Sequence, residues 1–148
     1  MSNFAFVFPG QGSQKIGVLA ELADQNPIIE KTFSEASQVL GYDMWQLIQQ
    51  GAQEDINLTQ RTQPILLTCS VAIWRLWNQK QGAKPSQMAG HSLGEWSALV
   101  CANVIDFADG LKMVEARGKF MQQAVPVGQG AMAAIIGLDD KAILAACT

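Results

Sequence analysis

Charge is scarce in this sequence. Asp, Glu, Lys and Arg make up 16% of its 148 residues, and 13 acids against 10 bases leave a net charge of −3, where an average globular chain is about 25% charged. No block of Lys and Arg is present to follow a phosphate backbone, which argues against nucleic acid as a partner. Cysteine is equally sparse. Cys69, Cys101 and Cys147 form no CxxC pair and are odd in number, so neither a disulfide framework nor a metal ligand set is expected, and reduced thiols of a cytoplasmic protein are the simpler reading. The start, Met1-Ser2-Asn3-Phe4, lacks the basic and long apolar regions of a signal peptide. Long hydrophobic runs are missing too. Pro64–Trp74 is apolar but falls short of the roughly 20 residues that span a bilayer, and the uncharged stretch Phe120–Leu138 is broken by Pro126 and three glycines. A soluble protein without membrane contact is expected.

What the sequence does have is apolar bulk. Hydrophobic residues make up 49%, enough to exclude disorder and to require a core. Phe4-Ala5-Phe6-Val7-Phe8, stopped by Pro9-Gly10, reads as a fully buried strand. Asn26 is a candidate N-cap with Pro27 at the first helical position, and Ile29, Phe33, Ala36 and Leu40 mark one helical face before Gly41. A short helix is expected at Asp43–Gln50. Another should begin at Thr62-Gln63-Pro64 and run to about Lys80, apolar around almost its whole circumference and therefore buried. Met88-Ala89-Gly90 is a weak strand candidate and Leu93–Cys101 a helix. Asp106 and Asp109 open a helix to about Gln123, with Phe107, Leu111, Val114, Gly118 and Met121 as its buried stripe. Ala131–Gly137 reads as a strand, and Asp139-Asp140 starts a helix that reaches Thr148 without a stop signal. Strands alternating with helices imply an α/β layered fold. The uncapped last helix and the all-round apolar helix lead us to expect the first part of a longer protein.

Gly90-His91-Ser92-Leu93-Gly94 matches G-x-S-x-G. In that pattern a sharp strand-to-helix turn lifts the serine hydroxyl into the open, and the glycines on either side avoid clashes. Backbone N–H groups at the start of the following helix are then free to bind an oxyanion. A serine in an ordinary glycine-flanked turn is the plainer alternative. His91 is the only histidine. Adjacent to the serine in sequence, it is badly placed to act as its base, and a role supporting the turn or lining the site fits better. Arg117 carries a planar fork suited to a carboxylate; pairing with Glu115 or a nearby Asp is the competing reading. Gly10-Gln11-Gly12 lacks the further glycine of a dinucleotide loop, since Lys15 stands there, and lacks the P-loop Lys-Ser/Thr pair. Trp45, Trp74, Trp77 and Trp96 are read as core.

Taken together, Phe8-Pro9-Gly10-Gln11-Gly12-Ser13-Gln14, Thr62-Gln63-Pro64, Gly90-His91-Ser92-Leu93-Gly94-Glu95, Arg117-Gly118 and Gly130–Gly137 closely resemble the malonyl-CoA:acyl carrier protein transacylases of bacterial fatty acid synthesis. The resemblance covers the whole chain, and acyltransferase domains of polyketide synthases share the motifs. It implies a hydrolase-like α/β large subdomain with an inserted ferredoxin-like small subdomain, residues 1–125 being the first part of the large one and 126–148 the start of the small one. It implies ping-pong acyl transfer in which Ser92 takes malonyl from malonyl-CoA and passes it to the phosphopantetheine thiol of acyl carrier protein. By the same resemblance, the backbone N–H groups of Gln11 and Leu93 form the oxyanion hole, Arg117 holds the malonyl carboxylate and Gln63 lines the pocket. No metal or cofactor is implied beyond malonyl-CoA as substrate. The general-base histidine of that family lies downstream of Thr148. A serine esterase or thioesterase using the same turn, and a non-catalytic carrier-protein-binding fragment, are the alternatives.

Overall fold

The computed structural model describes residues 3–125, 129 and 135–147. Strand β1 (Ala5–Phe8) is followed by helices α1 (Ala20–Gln25), α2 (Ile28–Leu40), α3 (Met44–Gln50), α4 (Gln53–Asn57) and α5 (Thr59–Gln79). Strand β2 (Gln87–Gly90) comes next, then α6 (Leu93–Cys101), α7 (Phe107–Ala124) and α8 (Asp140–Ala146). The two strands pair in parallel, from Ala5 opposite Gln87 to Phe8 opposite Gly90. Parallel neighbours need a long crossover, which α1 to α5 supply. The fold is α/β, as expected.

The core is built around α5. Every residue from Thr62 to Ala72 is buried, and α7, α2 and α6 pack against this helix. Ile65 and Leu67 meet a fully buried set contributed by Ile29 and Phe33 of α2, Met44 and Ile48 of α3, Ile56 of α4 and Leu111 and Val114 of α7. Beyond Ala72 the helix emerges, with Ile73 and Trp77 exposed. Arg75 anchors this outer half: it donates to both carboxylate oxygens of Glu35 on α2, at 2.6 and 3.3 Å, and stacks over the Phe107 ring of α7.

Four local expectations are corrected. β1 is buried on one face only: Phe6 packs edge-on against Trp74 and Trp77, while Val7 is 75% exposed. Asn26 closes α1 instead of opening α2; its N–H donates to Ala23 O and its side-chain amide to Leu22 O. α5 begins at Thr59, so Pro64 sits inside it. Met121 is partly exposed, while Gly110 joins Phe107, Leu111, Val114 and Gly118 in the buried stripe of α7. The expected strand Ala131–Gly137 lies mostly outside the described residues, and so does the start of segment 126–148. α8 follows with Asp139 as its N-cap, accepting from Ala142 N–H at 2.9 Å.

Candidate active site

Ser92 stands at the junction between β2 and α6. Its backbone takes φ 54° and ψ −107°, a region that residues with a Cβ rarely occupy and that persists only where surroundings enforce it. The enforcing contacts come from the flanking glycines. A Cβ on Gly90 would land on the backbone of Gly94 and Glu95, and one on Gly94 would land on the carbonyl of Phe8. Any other residue at either position would push the turn apart. Ser92 itself is exposed, whereas Leu93 and Gly94 behind it are buried. This is the strand–turn–helix expected from the motif.

The first turn of α6 leaves a donor without an acceptor among the described residues. Gly94 N–H turns back to His91 O at 2.9 Å and Glu95 N–H to Ser92 O at 3.3 Å, while Leu93, as the first helical residue, has no intrahelical acceptor. Facing this turn is the loop after β1. A Cβ on Gly10 would sit 3.1 Å from His91 O and 3.7 Å from His91 Nδ1, so the imidazole packs toward this loop. The loop is stapled by its own side chains. Ser13 Oγ donates to Gly10 O at 2.7 Å, Gly12 N–H to Gln14 Oε1 at 2.9 Å, and Gln14 Nε2 to Asn57 Oδ1 at 2.9 Å. Gln11 reaches Thr59 Oγ1 at 3.5 Å, which ties the loop to the start of α5.

Two residues far apart in sequence, Arg117 and Gln63, come together at the serine. Arg117 of α7 donates from Nη2 to Ser92 Oγ at 3.0 Å and from Nη1 to Gln63 Oε1 at 2.6 Å. Gln63 is fully buried on α5, and its Nε2 donates to Met121 Sδ at 3.2 Å. Gly118 makes the approach possible, because a Cβ there would meet the backbone of Thr59 and Gln60. The ion pair once open for Arg117 is taken elsewhere: Glu115 binds Lys119 at 2.7 Å. Among the described residues Arg117 has no carboxylate partner. A half-buried guanidinium held by two neutral oxygens, beside an exposed serine, is a site ready for an anion. His91 makes no hydrogen bond to Ser92 among the described residues, and no group of three or more His, Cys, Asp or Glu comes together there. Met121 was missed by the sequence reading, which placed it in the core; its one signal was a position one helical turn beyond Arg117.

A strained serine at a strand–turn–helix beside a parallel strand pair is the geometry of a nucleophile elbow in an α/β fold. The chain belongs to the acyl transferase domain family, whose pattern matches residues 5–147. It is 65% identical over 147 residues to the malonyl CoA-acyl carrier protein transacylase of Escherichia coli K12, covering 99% of this chain and 48% of that protein. The enzyme of the same name from Bacillus subtilis is 48% identical, with 97% and 45% covered. Among solved structures, an acyl carrier protein S-malonyltransferase from Vibrio cholerae superposes with a TM-score of 0.89 at 63% identity, covering 99% of this chain and 48% of that one. A malonyl-transacylase solved in complex with its type II PKS acyl-carrier protein gives a TM-score of 0.92 at 63% identity, with 99% and 47% covered. The chain spans about half the length of the curated relatives it matches. No helix among the described residues is long and apolar enough to cross a membrane.

Proposed function

We propose that this site transfers a malonyl group from malonyl-CoA to the phosphopantetheine thiol of an acyl carrier protein, through a malonyl ester on Ser92, supplying fatty acid chain elongation in the cytoplasm. Ser92 Oγ attacks the thioester carbonyl as a general base takes its proton, and the C–O bond forms to give a tetrahedral oxyanion. This collapses with cleavage of the C–S bond as the base returns the proton to the CoA sulfur; the carrier thiol then reverses the sequence. Gln11 and Leu93 N–H groups supply the oxyanion hole, Arg117 binds the free carboxylate, Gln63 holds Arg117, and His91 supports the turn. The base is assigned to a histidine outside residues 1–148, and no cofactor beyond the thioester substrate is assigned. Residues 1–125 are taken as the first part of the large subdomain and 126–148 as the start of a ferredoxin-like small one.

The observation that carries this reading is Arg117: a half-buried cation within hydrogen-bonding distance of the nucleophile and without an anionic partner among the described residues. A plain esterase has no need of such a group. The names of the relatives agree with it. Mass spectrometry of the full-length protein mixed with malonyl-CoA tests the proposal. A malonyl adduct on Ser92, absent in Ser92→Ala and discharged by carrier protein, is expected. Turnover to free malonate without transfer would instead establish a hydrolase.

A further inference from the structure

We propose that the Arg117–Ser92 hydrogen bond is a latch that slows attack by the nucleophile and is released by acyl groups carrying a carboxylate. This inference rests on the malonyl reading and adds to it a means by which selectivity acts on the chemical step as well as on binding. Serine oxygen has two lone pairs, and in the resting site one of them accepts a hydrogen bond from a cation, Arg117 Nη2, at 3.0 Å. A lone pair so engaged is less available for attack on a carbonyl carbon. Freeing it means breaking a charge-assisted bond, which slows acylation by something of the order of tenfold or more.

The guanidinium is anchored so that it can let go of the serine without leaving the site. Nη1 is fixed by Gln63 Oε1 at 2.6 Å, and Gln63 is itself buried with its amide held at the other end by Met121 Sδ. Arg117 offers only donors, so Gln63 must present its oxygen, and the sulfur accepts from the buried amide nitrogen at 3.2 Å. The arrangement is a pivot: Nη1 stays, and Nη2 exchanges one oxygen for another. A carboxylate is the stronger acceptor. When a malonyl thioester enters, its carboxylate draws Nη2 from Oγ and releases the lone pair next to the carbonyl to be attacked. An acetyl thioester offers no such acceptor, and the latch stays on the serine.

The test uses the full-length protein and measures the rate of acyl-Ser92 formation by rapid-quench mass spectrometry. With acetyl-CoA, added sodium formate should accelerate acetylation severalfold over matched sodium chloride, because formate supplies the missing carboxylate. Arg117→Ala should acetylate faster than the native protein and should not respond to formate. A native protein indifferent to formate, or an Arg117→Ala variant that acetylates no faster, overturns the latch. Malonyl-CoA run alongside separates the two levels: failure to form malonyl-Ser92 removes the underlying reading, whereas malonylation without a formate effect removes the latch alone. The formate arm needs no substitution, so a misfolded variant cannot mask the answer.

Discussion

At the scale of single residues, the site depends on one cation that has no carboxylate partner among the described residues. Arg117 is the natural target: Arg117→Ala should cost roughly 1.5–3 kcal/mol of malonyl transition-state binding, the usual worth of a hydrogen bond to a charged group, read as kcat/KM for malonyl-CoA in the full-length protein. The sequence made Ser92, Gln63 and Arg117 candidates, but spacing said nothing of their meeting, since 54 residues separate Gln63 from Arg117 and 25 separate Arg117 from Ser92. Only packing brings them together. The cysteines make a second residue-scale prediction. Cys69 and Cys101 are buried and Cys147 is exposed. Burial pushes both inner thiols up to about 12, against a small opposing pull from the Arg75 charge on Cys101. They stay protonated and unreactive through pH 9 while the protein is folded. Because an unfolded thiol ionises near 9, these two groups favour the folded state fully below that pH and lose that contribution as pH rises toward 12. Iodoacetamide at pH 8 should therefore label Cys147 alone among these three in residues 1–148, with all three reacting in urea; labelling of Cys69 without denaturant would contradict the burial.

At the scale of elements, the helices with sharp local signals were legible and the ones decided by tertiary context were not. α6 runs from Leu93 to Cys101 as its glycine-flanked start implied, and Asp43 caps α3 by accepting from Gln46 N–H at 2.9 Å. α5 was placed too late because Pro64 reads as a helix start. The preceding turn forms anyway, held by Thr62 Oγ1 donating to Ile56 O at 2.6 Å and by Thr62 N–H donating to Leu58 O at 2.8 Å. β1 was judged by its apolar run, which cannot tell a strand covered on both faces from one covered on a single face. The contact between α5 and α7 is where element and site meet. A Cβ on Gly118 would stand 2.6 Å from Gln60 Cα and 2.7 Å from Thr59 O, and backbone atoms cannot rotate away as a side chain can. Gly118→Ala should force the helices apart at a cost of about 1–3 kcal/mol. Arg117 precedes it in the chain, so the malonyl kcat/KM should fall as well. Thermal unfolding and kinetics on the same variant check both; an unchanged Tm would mean that the helices do not touch at this glycine.

At the scale of the whole molecule, the 148 residues contain a proposed nucleophile and a candidate anion site, but no described group placed to accept the serine proton. A hydroxyl is a weak nucleophile near neutral pH without a positioned base. His91 is the only histidine, and it packs toward the Gly10 loop with no bond to Ser92 among the described residues. Among the described residues, the side chain that donates to Oγ is Arg117, which cannot accept a proton at working pH. What remains is the proposed oxyanion hole and substrate binding, features that in other serine enzymes retain roughly 10³–10⁴ over water once triad members are removed. Apolar surface points the same way. Val7 on β1 is 75% exposed, Phe120 on α7 69% and Ile136 93%, and the edge of β1 away from β2 has no partner among the described residues. Surface of this kind associates or aggregates unless something covers it. Residues 1–148 purified alone should therefore self-associate and transfer malonyl at a rate far below that of the full-length protein. The measurement is carrier-protein malonylation by both forms at equal concentration, with light scattering beside it. Comparable turnover from a monodisperse 1–148 would place the base within these residues and make His91 the group to substitute next.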